Sequence, residues 1–352
     1  MAVKVVDLFC GVGGLTCGMR QAGFNVVAGF DNDKTCDYTY SHNNAAAFHW
    51  RNIKEVTPEE INECYGEDAE KILVGCAPCQ PFSAMSYKRF KKSSDREEDE
   101  KYNLLSEFGR LIKDVKPIIV SMENVPEIRK TKVFKSFVEL LKQNGYYTDE
   151  GQIVYCPDYG IPQNRHRFVL LASKLGEIHL IAPTHDRKQV SIRHFIENLP
   201  PVAAGETCQS DRLHRAAKLS DLNLQRIKAS VPGGTWKDWP KELRCKCHQK
   251  DSGKTYTSVY GRMSWDKIGS TMTTQFCCYG TGRYGHPEQN RALTLREGAL
   301  LQTFPKDYEF FPPDVVEYSM KDIARHIGNA VPVRLGEIIG QSISLHLTDN
   351  KR

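Results

Sequence analysis

Short apolar runs, each leading into a helix-like pattern, constrain the fold of this chain more than any other feature. VKVVDLF at 3–9 precedes GGLTCGMRQAG at 13–23, and NVVAGF follows at 25–30. KILVGC at 71–76 and PIIVSMEN at 117–124 come later, with LLSEFGRLIKDV at 104–115 carrying apolar residues at helical spacing between them. Parallel strands need crossover connections, so strand–helix alternation predicts a mostly parallel sheet covered by helices on both faces. The predicted class is α/β, with a Rossmann-like sheet. Functional groups in such sheets gather at the carboxyl ends of strands. GCAPCQ and MENVP both stand at such ends.

After about residue 173 this rhythm stops. The stretch 185–285 is rich in Gly, Pro, Thr and Trp, and VPGGTWKDWP and TYTSVYGRMSWDKIGSTMTT predict loops and short strands. A helix pattern returns at LTLREGALLQTF, and IARHIGNAVPVRLGEIIGQSISLHL predicts an amphipathic closing helix that packs back on the first domain. The expected organisation is a large domain at 1–174, a smaller, irregular, β-rich domain with hinge at 175–320, and a segment at 321–352 returning to the large domain.

Composition excludes several classes. No apolar stretch approaches the twenty residues that a membrane-spanning helix needs. MAVKVVDLFCG enters a strand pattern directly and has no signal-peptide layout, so a cytoplasmic location is expected. The 12 cysteines in a chain of 352 residues without an export signal are expected to be reduced thiols. CKCH at 245–248 offers metal-ligand residue types, but no second Cys/His pair with finger-like spacing accompanies it, and no metal is expected. Net charge of +5 favours a polyanionic partner only weakly, although basic residues cluster at KRFKK (88–92), RKTK (129–132) and QNRHR (163–167).

Two motifs carry chemistry when read from residues alone. DLFCGVGG, Asp7 to Gly14, is a strand feeding a glycine-rich turn and a helix, which is a nucleotide-binding device. Thr16 stands where a dinucleotide fingerprint wants Gly or Ala, and there is no GK[ST] phosphate grip. Asp31 ends the second strand about twenty residues on, where a carboxylate can take both hydroxyls of a ribose. An adenosine-type cofactor follows. The second motif, GCAPCQPFS at 75–83, could be a metal clip, a redox pair or the seat of one nucleophilic thiol. The first needs two more ligands, and the second belongs to a shorter chain in another context. Cys79, on a proline-stiffened turn just past a strand, reads best as a nucleophile whose thiolate nearby arginines can favour. KRFKKSSDREEDEKYN, directly after it, reads as a mobile polar loop and a natural lid.

Taken in order, DLFCGVGG, GCAPCQPFS, ENVPEI, YGIPQNRHR, RALTLREGALLQTFP and HIGNAVP resemble the signature blocks of the DNA (cytosine-5) methyltransferase family. The resemblance runs from Val5 to about Ile339 and lapses between about 175 and 265, where that family carries its variable target-recognition region. It implies a class I methyltransferase fold and transfer of a methyl group from S-adenosylmethionine to C5 of a cytosine in double-stranded DNA. Cys79 would add to C6, Glu123 would assist at N3 and the exocyclic amine, Arg167 would hold O2, and Arg165 would favour the thiolate and a neighbouring phosphate. Because C6 is inaccessible in stacked duplex, the base must be flipped out. Phe9, Gly11, Gly13, Gly14, Asp31, Asn32, Asn52, Ile53, Pro78, Leu104 and Asn329 would line the cofactor site. Gln80, Ser83, Ser86, Lys88, Arg89, Gln163, Arg262 and Thr271 would meet DNA. Thr271-Met272 matches a Thr-plus-aliphatic pair that the family places near the vacated base site.

Two departures stand out. Asn52 replaces the Asp that the family usually has before Ile53, which bears on adenine recognition, and Cys76-Ala77 stand where Gly or Pro is commoner. The implied setting is a cytoplasmic, nucleoid-associated monomer with a cognate restriction endonuclease as its genetic partner. The rival readings are an RNA cytosine-5 methyltransferase on the same fold, a non-catalytic DNA-binding regulator and a NAD-dependent oxidoreductase. Intact Cys79, Glu123, Arg165 and Arg167 speak against the regulator, while Thr16 and an idle Cys79 speak against the oxidoreductase. The duplex reading rests on the long variable segment.

Overall fold

The computed structural model describes residues 2–78, 103–188 and 190–350. The chain divides into two compact units, Met1–Tyr159 with His166–Thr184 and Ala330–Arg352, and Gly160–Arg165 with His185–Asn329. Cys79, Gln80, Ser83, Ser86, Lys88, Arg89 and the expected lid lie outside the described residues.

The first unit is built on a seven-stranded sheet in the order β3-β2-β1-β4-β5-β8-β6. The strands are β1 (Ala2–Leu8), β2 (Asn25–Asp31), β3 (Ala47–Trp50), β4 (Ala69–Gly75), β5 (Ile119–Asn124), β6 (Gln152–Tyr155) and β8 (His166–Ser173), while β7 (Gln163–Asn164) belongs to the second unit. Neighbours from β3 through β5 run parallel, and β8 runs antiparallel to both β5 and β6. Every residue of β5 is buried, as a strand covered on both faces requires. One face packs Val6, Leu8, Phe30, Leu73, Val120 and Met122 against three helices, Pro58–Tyr65, Leu104–Val115 and Lys132–Gln143. In the second of these, Leu105, Phe108, Leu111, Ile112 and Val115 recur at i, i+3 and i+4 and are all buried. Burial of each stabilises by roughly 1.5–3 kcal/mol. The first of the three is started by Thr57, whose hydroxyl accepts from Glu60 N while Glu60 accepts from Thr57 N, with Pro58 in the first turn.

Helix Gly14–Gln21 meets helix Val333–Asn350 through small residues. A Cβ at Gly14 would overlap the Val331 carbonyl oxygen, and one at Gly18 would overlap that of Val333. The chain after residue 330 therefore lies against the helix that leaves the glycine-rich turn. The closing segment is two helices rather than one, Met320–Asn329 and Val333–Asn350, and only the second belongs to the first unit. Pro332 supplies the break, since it lacks an amide hydrogen and disfavours helical geometry in Val331.

The second unit is irregular, as expected, but it is not β-rich. Its named strands are β7 and β9 (Gly269–Ser270), a parallel pair of two residues each. Helix Asp221–Lys228 brings Ile227 and Leu224 to an aromatic core of Trp236, Trp239 and Tyr279 with Ala292, and the short helices Arg193–Ile196 and Leu295–Leu301 pack on each other. Gly, Pro and Trp at short intervals favour turns around bulky rings over ladders. Among the described residues no helix is long and apolar enough to cross a membrane.

Candidate active site

In the first unit the carboxyl ends of β1 and β2 are bound to each other through one carboxylate. After β1 the chain turns through Phe9, Gly11 and Gly13, at φ 59°, 51° and 84°. Positive φ is costly for a phenylalanine, and strain of this kind concentrates where a loop must present its backbone to a ligand. A Cβ at Gly11 would meet nothing within 4 Å, so open ground lies beside the turn. Asp31 at the end of β2 accepts from Gly11 N through Oδ2 and from Asp33 N through Oδ1, both at 2.9 Å. A carboxylate has about four acceptor positions. These two bonds leave acceptor capacity on the carboxylate. Burial raises the Asp31 pKa above the ordinary carboxylate value, against the lowering effect of the Asp33 and Gly11 amides.

The remaining cofactor candidates differ in exposure. Phe9, Ile53 and Leu104 belong to one apolar cluster, Phe9 lying edge-on to Phe108 at 6.5 Å. Ile53 is buried and its carbonyl accepts from Arg110, whereas Asn32 and Asn52 are exposed. The Asn52 side chain accepts from Lys54 N, a local turn that sets the loop after β3. Pro78 is half-buried, and Asn329 is exposed at the end of its helix in the second unit.

Residue-by-residue reading of the sequence passed over two features here. Trp50 ends β3 in register with Asp31, is 59% exposed, donates from Nε1 to the Asn32 carbonyl at 3.1 Å and carries the Lys34 ammonium 5.0 Å from its ring. Its signal was an aromatic residue closing a strand at the sheet's functional edge. Asp7, buried in β1, accepts from Thr16 Oγ1 at 2.7 Å, and that hydroxyl lies 3.0 Å from the Tyr40 hydroxyl. Burial, offset in part by the Thr16 bond, pushes Asp7 up to about 7.

At the ends of β4, β5 and β8 a second group assembles. Glu123 is 2% exposed. Its Oε2 accepts from the Cys76 thiol at 2.7 Å, and its Oε1 lies 3.0 Å from Arg167 Nε. The second contact is a charge pair without hydrogen-bond alignment, since Oε1 has no hydrogen-bond partner by geometry. β5 and β8 are antiparallel, with Glu123 opposite Val169, so Arg167 reaches Glu123 diagonally. Asn124 donates from Nδ2 to the Ala77 carbonyl at 2.9 Å and so fixes the chain that runs into Pro78.

Arg165, Gln163 and Arg262 belong to the second unit, and each is turned inward. Arg165 donates to the Met272 carbonyl at 3.2 Å. The Gln163 amide, fully buried, donates to the Leu301 carbonyl and to Gln302 Oε1 and accepts from Met272 N. Arg262 donates to the Ser230 and Gln289 carbonyls and to Asn290 Oδ1. Gln163 and Arg262 thus clamp the second unit's own backbone in this structure. Thr271 is half-buried, with its hydroxyl donating to the Asn164 carbonyl at 2.7 Å. QNRHR reads as one strip in sequence, yet the unit boundary falls between Arg165 and His166.

A seven-stranded, mostly parallel sheet with a glycine-rich turn after β1 and an acidic strand end on β5 defines a class I methyltransferase fold. Residues 3–345 match the family described as C-5 cytosine-specific DNA methylase, and the chain belongs to that family. It is 50% identical to the Type II methylase M.HgiDII of Herpetosiphon aurantiacus over 99% of its own length and 96% of the relative's. It is 31% identical to the Type II methyltransferase M.PspPI of a Psychrobacter species, covering 97% of this chain and 78% of that one. Among solved structures it resembles the Entamoeba histolytica methyltransferase EhMeth, with a TM-score of 0.65, 18% identity and 99% coverage of both chains. The protein is a DNA (cytosine-5) methyltransferase, and its family is S-adenosylmethionine-dependent.

Proposed function

We propose that the enzyme methylates C5 of a flipped-out cytosine at a specific site in duplex DNA, through a covalent bond between Cys79 and C6. The observation that carries this reading is the Glu123 group. A buried carboxyl at a strand end, paired with Arg167, offers acid and cation side by side for a pyrimidine edge. The Cys76 thiol donates its proton to Glu123, which supports Cys79 and not Cys76 as the nucleophile. Addition of the Cys79 sulfur to C6 moves the ring electrons toward C5 and N3, where Glu123 takes up the developing charge by sharing a proton. Arg167 holds O2. S-adenosylmethionine, when bound, supplies the electrophilic methyl group; Asp31 would hold its ribose hydroxyls, with the Phe9–Gly14 turn beneath it. Loss of the C5 proton to a base then lets the C6–S bond break and frees Cys79.

Sequence specificity, on this reading, belongs to 175–285 with the remainder of the second unit. The enzyme acts as a monomer alongside an endonuclease cutting the same unmodified site. Support comes from the composition break between closely spaced motif blocks and from the Type II names of the relatives.

The test uses DNA carrying 5-fluorocytosine, in which proton loss from C5 is blocked. Wild type should form a denaturant-stable adduct, and Cys79→Ser should form none while losing methyl transfer by on the order of 10⁴-fold or more. An adduct in Cys79→Ser, or one mapped to Cys76, overturns the assignment.

A further inference from the structure

We propose that Cys245, Cys247 and His248 form a zinc-binding site in the second unit. Their ligand-type atoms lie within 4.8 Å of one another. The backbone brings them there: Cys245 caps the short 3-10 turn Lys246–Gln249, and His248 N donates to the Cys245 carbonyl at 2.9 Å, folding position 248 back over 245. Gly253 closes the turn from the other side. It packs so tightly that a Cβ would overlap the Cys247 carbonyl oxygen, which leaves no side chain between the turn and its neighbour.

The histidine supplies the independent observation. His248 is 6% exposed, stacked on Trp236 at 4.4 Å and edge-on to Tyr260 at 5.9 Å. Its Nδ1 is buried and has no hydrogen-bond partner among the described residues. A buried polar atom in that state calls for an explanation, and a ligated cation is one. The two sulfurs and one imidazole nitrogen are the donor set of tetrahedral zinc, whose bonds of about 2.3 Å to sulfur and 2.0 Å to nitrogen put ligand atoms roughly 3.5–3.8 Å apart. A contraction of about an ångström within the observed 4.8 Å limit reaches that geometry. Binding would release the two thiol protons to solvent, so that Zn²⁺ with two thiolates is neutral. Tyr260, edge-on to His248, closes the same aromatic wall behind the three ligands. Cys247 is exposed, which leaves the fourth coordination position to water.

Such a site has a structural role. It would pin 245–248 to the Trp236, Trp239 and Tyr260 core in a unit whose described residues form one strand pair of two residues each.

The full-length chain, expressed with zinc supplied and then dialysed against metal-free buffer, should retain about one zinc per chain by elemental analysis. Cobalt added to the zinc-stripped protein should give a thiolate-to-cobalt charge-transfer band. Both signals should vanish in Cys245→Ser and Cys247→Ser, fall in affinity by at least about tenfold in His248→Gln, and persist in Cys208→Ser. Circular dichroism identifies any variant that has not folded, and Cys247→Ser, altered at an exposed position, keeps the test decisive if Cys245→Ser fails. Wild type without zinc and without the cobalt band overturns the proposal. So does metal that stays at wild-type level in a folded Cys245→Ser or Cys247→Ser protein.

Discussion

The carboxyl edge of the first unit's sheet and the core of the second unit hold buried polar groups in different ways. At the sheet edge, Asp7, Asp31 and Glu123 are presented by regular strands, and each has only one or two polar contacts. In the second unit Gln163, Arg262, Arg291 and Glu297 are buried and have several contacts each, so that the side chains do the work that ladders do elsewhere. Partly satisfied carboxylates on a rigid frame are free to act on something else. Guanidinium and amide groups with several backbone and side-chain contacts each hold a loop-built fold together. The same residue types therefore mean different things on the two sides of the unit boundary.

The largest effect that separates the two modes should come from Arg291. Its guanidinium donates to both oxygens of Glu297 at 2.7 Å, and neither side chain is exposed. Burial alone would raise the Glu297 pKa, but the Arg291 bonds bring it below the usual value. Arg291→Met strands a buried charge and should destabilise the protein by about 3–5 kcal/mol in urea unfolding. Replacing both partners, Arg291→Met with Glu297→Leu, should recover much of the loss, because the unpaired charge is removed with its partner. In the first unit a loss of about that size instead follows from an apolar truncation, Phe108→Ala, through the cavity it leaves. If Arg291→Met costs less than about 1 kcal/mol, buried ion pairing is not what holds the second unit.

How much of this was readable beforehand follows the same division. Val5, Val6, Leu8 and the run through β5 form continuous apolar strands, and a pattern of that kind survives into three dimensions because burial enforces it. Glu123 and Asp31 could be placed at strand ends from sequence, because the apolar runs that precede them fix where those strands stop. The internal bonds of Gln163 and Arg262 could not be read beforehand, because a polar side chain shows in sequence only its type, not the carbonyls that surround it. Residues 301, 302 and 272 claim Gln163 from more than a hundred positions away. The Cys76–Glu123 bond joins two strands 47 residues apart, a register that no local motif encodes. The break at Pro332 was local and readable, yet the apolar periodicity on either side of it masked it.

The comparison is sharpened next by Asp31, whose two backbone contacts place it at the boundary between structure and ligand binding. Asp31→Ala should weaken S-adenosylmethionine binding by roughly 1.5–3 kcal/mol in calorimetry, the usual range for hydrogen bonds to a charged group. Urea unfolding of the ligand-free variant measures the part that belongs to the Gly11 and Asp33 amides. Unchanged cofactor affinity would refute the ribose role and leave Asp31 as a clamp of the second unit's kind.

The smallest effect concerns Asp7, which has one hydrogen-bonded oxygen and one buried oxygen without a partner. Burial is the main reason its pKa rises to about 7; the Thr16 bond lowers it, and the Asp31 charge raises it further. The folded state thus keeps the proton at a pH where the unfolded chain, with a carboxyl near about 3.9, has lost it. Stability from this group is complete below about pH 3.9 and is lost as pH rises through the folded value. Asp7→Asn removes the titration. Between about pH 6 and pH 8 the variant should therefore gain on wild type by about 1.5 kcal/mol of unfolding free energy at most. Urea melts at both values of pH provide the measurement, and parallel behaviour of the two proteins would mean that Asp7 is already ionised at the lower one. In an Asp31→Ala background the Asp7 transition should move to lower pH, because one of the charges that raises it has gone.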